Sequence, residues 1–302
     1  MTTIAAPAAG ARLGRFVLDV FPPKVYGTYA VLWVLALEGS LAVVTDGRWA
    51  PSAGTAVRIC SVGLVLLYLR MVDEQKDLDY DREHDPGRPL VRGSITAAEL
   101  RRWMLLFAVL LVVANALVAP VSVAVLVLDL GYALLLVVLE RRSAWLRDAL
   151  FPNLAITYPV QVLLSAYVCL SVTGGLGPVA IGLIGCFSCV FLHFEFARKT
   201  AWTAPAQARM YSNAVGPVGA AVLVLAAPAL AAASAVVLFR PWEWGGAADL
   251  VRWLPYCALV LPGIGARRFF GGGRAWPAGL AMTFVLGWYA ALVCQAAVVS
   301  WA

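Results

Sequence analysis

The residues best suited to chemistry lie in one run, Asp73-Glu74-Gln75-Lys76-Asp77-Leu78-Asp79-Tyr80-Asp81. If the helical pattern before this run continues into it, Glu74, Asp77 and Asp81 stand at i, i+3 and i+7. They then fall within about 60° of one another around the helix, with Asp73 beside them. Carboxylates this close repel unless a cation lies among them. Hard oxygen donors suit Mg²⁺, which is commonly held by one or two carboxylates together with substrate phosphates. The competing reading is a solvated charged loop that only follows a helix. The next segment weighs against it: His84-Asp85-Pro86-Gly87-Arg88-Pro89-Leu90-Val91-Arg92-Gly93 is rich in turn residues, and its two arginines can close over an anion. A carboxylate face holding Mg²⁺ beside such a loop makes a diphosphate site.

The elements that position these residues are membrane helices. The 302 residues are 62% hydrophobic and 13% charged, against roughly 45–50% apolar and about 25% charged in soluble domains. About nine apolar runs are long enough to cross a hydrocarbon core of ~30 Å. They lie near 24–46, 56–78, 97–119, 120–140, 150–171, 178–200, 213–238, 250–268 and 276–301. The expected fold is an all-α integral membrane protein, with a tail over 1–20 ending in an interfacial helix and a single transmembrane domain over 21–302. The tail lacks the continuous apolar core and cleavage site of a secretory signal.

Charge sets the orientation. Apart from Arg70, inside a span, eighteen Lys and Arg fall on the side of the N-terminus. Only Arg48, Arg58, Arg240 and Arg252 fall on the other. This bias places the N-terminus and the acid run on the cytoplasmic side of the cell membrane. The formal charge of +6 is thus read as a topology signal, and no nucleic-acid partner is expected. All six cysteines lie inside spans, so the Cys186–Cys189 pair reads as small core residues rather than as a redox or metal motif.

The acid run and the loop after it resemble the first signature of the UbiA superfamily of intramembrane prenyltransferases. That family carries Asn-Asp-x-x-Asp-x-x-x-Asp at the end of its second helix, followed by Arg-Pro-Leu-x-x-Gly. Here the run reads Asp73-Glu74-x-x-Asp77-x-x-x-Asp81 and the segment Arg88-Pro89-Leu90-Val91-Arg92-Gly93. The resemblance implies a helical bundle around a central cavity, Mg²⁺ as cofactor, and an isoprenyl diphosphate as substrate. The family's second signature, Asp-x-x-x-Asp, is altered: His193-Phe194-Glu195-Phe196-Ala197-Arg198-Lys199-Thr200 has Glu195 first and Lys199 where the second aspartate belongs. Glu195 can serve as a Mg²⁺ ligand with Asp73, Glu74, Asp77 and Asp81. Lys199 cannot bind metal. Either it and Arg198 contact the diphosphate directly and take over part of a second ion's role, or only one ion is held firmly. An i, i+4 surface pair of Glu195 and Lys199 is the structural alternative. The remaining diphosphate contacts implied are Lys76, Arg88, Arg92, Arg141 and Tyr211, with Arg141 and Arg142 equally readable as topology anchors.

Two acids lie deeper, Glu38 in the first span and Asp129 in the fourth. Charge at the bilayer centre costs at least about 2.5–3.5 kcal/mol, so such groups face a cavity or a partner. Glu38 is a candidate to orient an acceptor, act as base or stabilise a carbocation; an internally paired structural role is the alternative. Gln161, Asn153 and His193 read as helix–helix hydrogen-bonding partners. Trp242, Trp244 and Trp253 suit an interfacial belt, and Tyr68, Tyr132, Tyr158 and Phe191 could line an isoprenoid channel.

The resulting functional expectation is Mg²⁺-dependent ionisation of a prenyl diphosphate and transfer of the prenyl group to an aromatic or other small acceptor, in contact with membrane lipid. The alternative is a membrane terpene cyclase, an activity also found in the superfamily, in which the isoprenoid's own double bonds capture the cation. A transporter is the remote third reading. It predicts acids spread along a midplane path, whereas here they cluster at one boundary beside arginines.

Overall fold

The computed structural model describes residues 8–45, 47–203, 205, 208–243 and 247–301, so Trp244 lies outside the described residues. The described residues form helices and no β-strand; the one bridge is Ala201 with Ala275. The first helix, α1 (Ala9–Val20), is amphipathic. It buries Phe16 and lays Leu13, Val17 and Val20 against the core, the i, i+3, i+4, i+7 spacing of a single apolar stripe. Arg12 ion-pairs with Glu99 at the start of α5 (Ala97–Val118), where Thr96 and Glu99 form a capping box.

Eight helical segments are long and apolar enough to cross a membrane. They are α2 (Pro23–Val44), α3 (Ala53–Lys76), α5, α6 (Pro120–Arg142), the joined pair α8 (Leu150–Thr157) and α9 (Pro159–Thr173), α10 (Pro178–Ala197), α11 (Tyr211–Phe239) and α14 (Ala278–Trp301). Between them lie the short helices α4 (Leu78–His84) and α7 (Ala144–Asp148). This is the architecture of a multi-pass membrane protein. The run expected at 250–268 is segmented into a 3₁₀ turn (Ala247–Trp253), α12 (Leu254–Cys257) and α13 (Val260–Phe270). Pro255 and Pro262 lack the N–H that an uninterrupted helix uses, and the joint tightens into i to i+3 bonds such as Ala258 N–H to Pro255 O. Hydropathy alone does not reveal such breaks.

Inside the bundle α2 packs on α14, α6 on α9, and α10 on α11. α11 kinks after its first turn because Gly216 takes φ 74, a conformation glycine adopts cheaply, immediately before Pro217. The kink leaves Tyr211 and Ser212 on a separate turn beside the end of α10. There Tyr211 N–H donates to Lys199 O and Ala201 N–H to Ser212 Oγ, at 2.9 and 2.7 Å.

Candidate active site

The helix that carries the acid run ends at Lys76, Asp77 caps it, and α4 restarts at Leu78. The Asp81 N–H to Asp77 O bond carries the turn across this joint. The carboxylates therefore stay grouped as the spacing predicts, but each has a different environment. Asp73 Oδ1 faces Lys76 Nζ at 3.5 Å. Glu74 is buried; its Oε1 accepts from Arg70 at 2.6 Å and Arg88 at 3.1 Å, while its Oε2 is buried with no hydrogen-bond partner. Asp81 is buried 3.9 Å from Arg88 Nε. Burial raises its carboxyl above the ordinary aspartate value, and Arg88 opposes the rise. Among the described residues no ion pair engages Asp77.

Lys76 also reaches across to α6, 3.2 Å from Glu140 Oε2, and Asn153 donates to Glu140 Oε1 at 3.1 Å. Lys76 and Glu140 border a cavity of about 980 Å³ whose walls also include Asp77, Asp81, Arg88, Arg141 and Arg209.

The second constellation sits at the end of α10. Glu195 is buried, and both of its oxygens are taken: Oε2 by Arg198 Nη2 at 2.5 Å, Oε1 by Lys199 Nζ at 2.6 Å. Lys199 Nζ lies 5.8 Å from the centre of the Tyr211 ring. Burial lowers the lysine's pKa from its ordinary value, and Glu195 opposes the shift. The Tyr211 hydroxyl is buried beside Glu195.

Not every candidate from the sequence joins these groups. Arg92 pairs at the surface with Asp19 of α1, at 2.7 Å, and not with the acid run. Glu38 is buried in an ion pair with Arg58 and accepts from Thr55 Oγ1 at 2.9 Å. Arg58 precedes Asp77 by nineteen residues on α3, about 28 Å at 1.5 Å per residue, so Glu38 stands at the far end of the bundle. Asp129 is buried in mid-α6 with neither oxygen hydrogen-bonded. Tyr132 and Tyr158 each donate to a backbone carbonyl, of Ile156 and Ser188 respectively.

The structure adds participants that the sequence reading passed over. Arg70 precedes Glu74 by four residues, a spacing that signals the pair. Glu140 could be found only through its partner on α3. Asp148 gathers Arg147 and Arg209 into the cavity wall, and the 61-residue separation from Arg209 leaves no local signal.

Among the described residues no three His, Cys, Asp or Glu side chains form a ready metal cage. The donor set nevertheless fits an ion of the Mg²⁺ type arriving with its diphosphate. Such an ion needs only one or two carboxylates from the protein, and Asp77, in the cavity wall and outside every ion pair among the described residues, and Glu74, with a buried oxygen that no hydrogen bond engages, supply hard donors of that kind.

No family model and no curated protein matches the sequence. Solved structures match in fold. A UbiA homologue from Aeropyrum pernix K1 aligns with TM-score 0.58 at 16% identity, over 88% of this chain and 98% of the other. Digeranylgeranylglyceryl phosphate synthase gives 0.60 at 11% identity, over 95% and 99%. A UbiA homologue from Archaeoglobus fulgidus, solved with DMAPP and Mg²⁺ bound, gives 0.54 at 14% identity, over 89% and 98%. At these identities the likeness establishes the fold, and the chain has the UbiA fold.

Proposed function

We propose that this chain of UbiA fold is an isoprenyl diphosphate enzyme: it ionises a prenyl diphosphate with Mg²⁺ and transfers the prenyl group to an aromatic or other small acceptor. The observation that carries this reading is the cavity at one end of an apolar bundle, walled by Asp77 and Asp81 together with Arg88, Arg141 and Arg209. Carboxylates and guanidiniums on one wall suit a metal-bound polyanion, and neither alone does. The neighbour solved with DMAPP and Mg²⁺ supports the same ligand class.

In this reading Asp73, Glu74, Asp77 and Asp81 supply the metal donors. Bound Mg²⁺ would neutralise charge developing on the leaving diphosphate. Arg88 orients the diphosphate from the loop after α4, and Lys76, held by Glu140, approaches it from α3. Arg141 adds positive charge at the rim. The C–O bond breaks with its electron pair passing to the diphosphate, and the allylic cation is left among helices that exclude water. Glu38, tied to Arg58 about 28 Å away along α3, takes a structural role. In the same reading the transmembrane domain is 21–302, and the charge bias supports a cavity mouth on the cytoplasmic side.

A second reading, cyclisation, is favoured by one feature. The rings of Tyr29, Tyr158, Phe187, Phe191 and Tyr289 cluster at centroid separations of 4.9 to 6.3 Å in the interior between α2, α9, α10 and α14. Such faces stabilise a migrating cation.

The purified protein, supplied with C10, C15 and C20 prenyl diphosphates and Mg²⁺, tests both. Diphosphate release that needs an aromatic acceptor and yields a prenylated product is the expected result. Cyclic hydrocarbon without acceptor would replace transfer with cyclisation, and no release from any substrate would overturn the enzyme reading.

A further inference from the structure

We propose that the end of α10 is a metal-free diphosphate subsite, in which Arg198 and Lys199 provide the counter-charge that a second ion would otherwise bring, and that divalent metal is confined to the α3–α4 carboxylates. This rests on the diphosphate reading above and specifies how the ligand is held.

The geometry of Glu195 carries the inference. A carboxylate oxygen that binds Mg²⁺ does so at about 2.0–2.1 Å. Each Glu195 oxygen already has a cation in contact, Arg198 Nη2 at 2.5 Å and Lys199 Nζ at 2.6 Å. A divalent ion on either oxygen would stand against a fixed positive charge. The group consists of one carboxylate and two cations, so it attracts an anion. In the α3–α4 group Asp73, Glu74, Asp77 and Asp81 face Arg70, Lys76 and Arg88, and the balance is negative.

The remaining polar group of the subsite is a donor too. Tyr211, in contact range of Lys199, sets its buried hydroxyl beside Glu195 and so adds a third donor around that carboxylate. Ala208 and Arg209, which follow Lys199 in the chain, stand in the wall of the cavity that Asp77 and Asp81 line, and Arg209 adds a third cation on this side. Glu195 is then a positioning residue, fixing two flexible cations from one turn of helix at i+3 and i+4.

The test counts ions as well as measuring affinity. The full chain in detergent is titrated with Mn²⁺ and followed by electron paramagnetic resonance, in the presence of a prenyl thiolodiphosphate that resists ionisation. Glu195→Gln is expected to leave the number of bound ions unchanged, and Asp77→Asn to reduce it. Lys199→Ala is expected to weaken analogue binding about 10-fold or more, the scale of a hydrogen bond to a charged group, and Lys199→Arg to retain most of it. Lys199→Asp, which removes the blocking ammonium, is expected to add one ion; it addresses the same question should Glu195→Gln fail to fold. Loss of an ion in Glu195→Gln, or an unchanged count in Lys199→Asp, would overturn the proposal while leaving the diphosphate reading intact. Failure of the wild-type chain to bind the analogue would remove both.

Discussion

The ends of α3 and α10 carry similar residue types arranged to opposite effect. At α10 the acid and its two cations sit at i, i+3 and i+4 across the helix's C-terminus, so they meet one another and Glu195 is saturated from the adjoining turn. At α3–α4 the acids occupy the i, i+3 and i+7 positions, and their cations come from elsewhere: Arg70 a turn earlier, Lys76 engaged with α6, and Arg88 from the loop. Shared pairing there leaves Asp77 open and one oxygen of Glu74 orphaned. What separates a group that can take a divalent metal from one that can take an anion is which residues the helical repeat forces to pair, more than the number of carboxylates.

The sharpest way to break this comparison is Asp77→Asn. It keeps the size of the side chain and removes the one carboxylate of the four that has no cation within 4.0 Å. Mg²⁺-dependent diphosphate release is expected to fall at least about 100-fold, the scale of losing a group that stabilises charge in the transition state, and the Mg²⁺ concentration for half-maximal rate should rise. Initial rates over a Mg²⁺ series measure both. A loss below about 3-fold would remove the distinction between the two helix ends.

Arg88→Gln sharpens the comparison in the other direction. Arg88 lies 3.1 Å from Glu74, 3.0 Å from Asp85 and 3.9 Å from Asp81, so its removal leaves the α3–α4 group more negative. Affinity for the metal alone is expected to rise, while KM for the prenyl diphosphate rises about 10-fold from the lost charged hydrogen bond. Mn²⁺ titration without diphosphate, set beside steady-state kinetics, separates the two. Parallel weakening of both would mean that Arg88 only holds the loop in place.

These features were unequally legible in the sequence. Spans came from length and hydropathy, and the acid run from its spacing, because both are periodic properties of one segment. The saturation of Glu195 was half legible: the i+4 lysine was visible as a pair, but not that Arg198 takes the other oxygen. The segmentation at 250–268 is not legible, because two prolines do not interrupt a hydropathy window. Glu140 and Arg209 were out of reach, since their partners Lys76 and Asp148 are 64 and 61 residues away and only packing of the bundle brings them together. Arg92, taken from its motif as a diphosphate contact, is drawn off by Asp19 on a helix whose docking no motif encodes.

The smallest effect concerns the wall that the two helix ends share. Asp148 is held by Arg147 at 2.9 Å and by Arg209 at 2.6 Å, and hydrogen bonding to Arg147 is the main cause of its pKa lying below the ordinary aspartate value. A carboxyl depressed in the folded state contributes stability above its unfolded pKa and loses it as pH falls through the folded one. The three groups are about half exposed, so solvent screening keeps the tie weak. Thermal unfolding of Asp148→Asn should therefore show a slightly lower Tm at neutral pH, with the gap to wild type closing in acid as Asp148 protonates. A gap that persisted in acid would mean that Asp148 acts by packing and not by charge. Arg209 would then owe its place in the cavity wall to the backbone, and its charge would count wholly toward the anion side of the comparison.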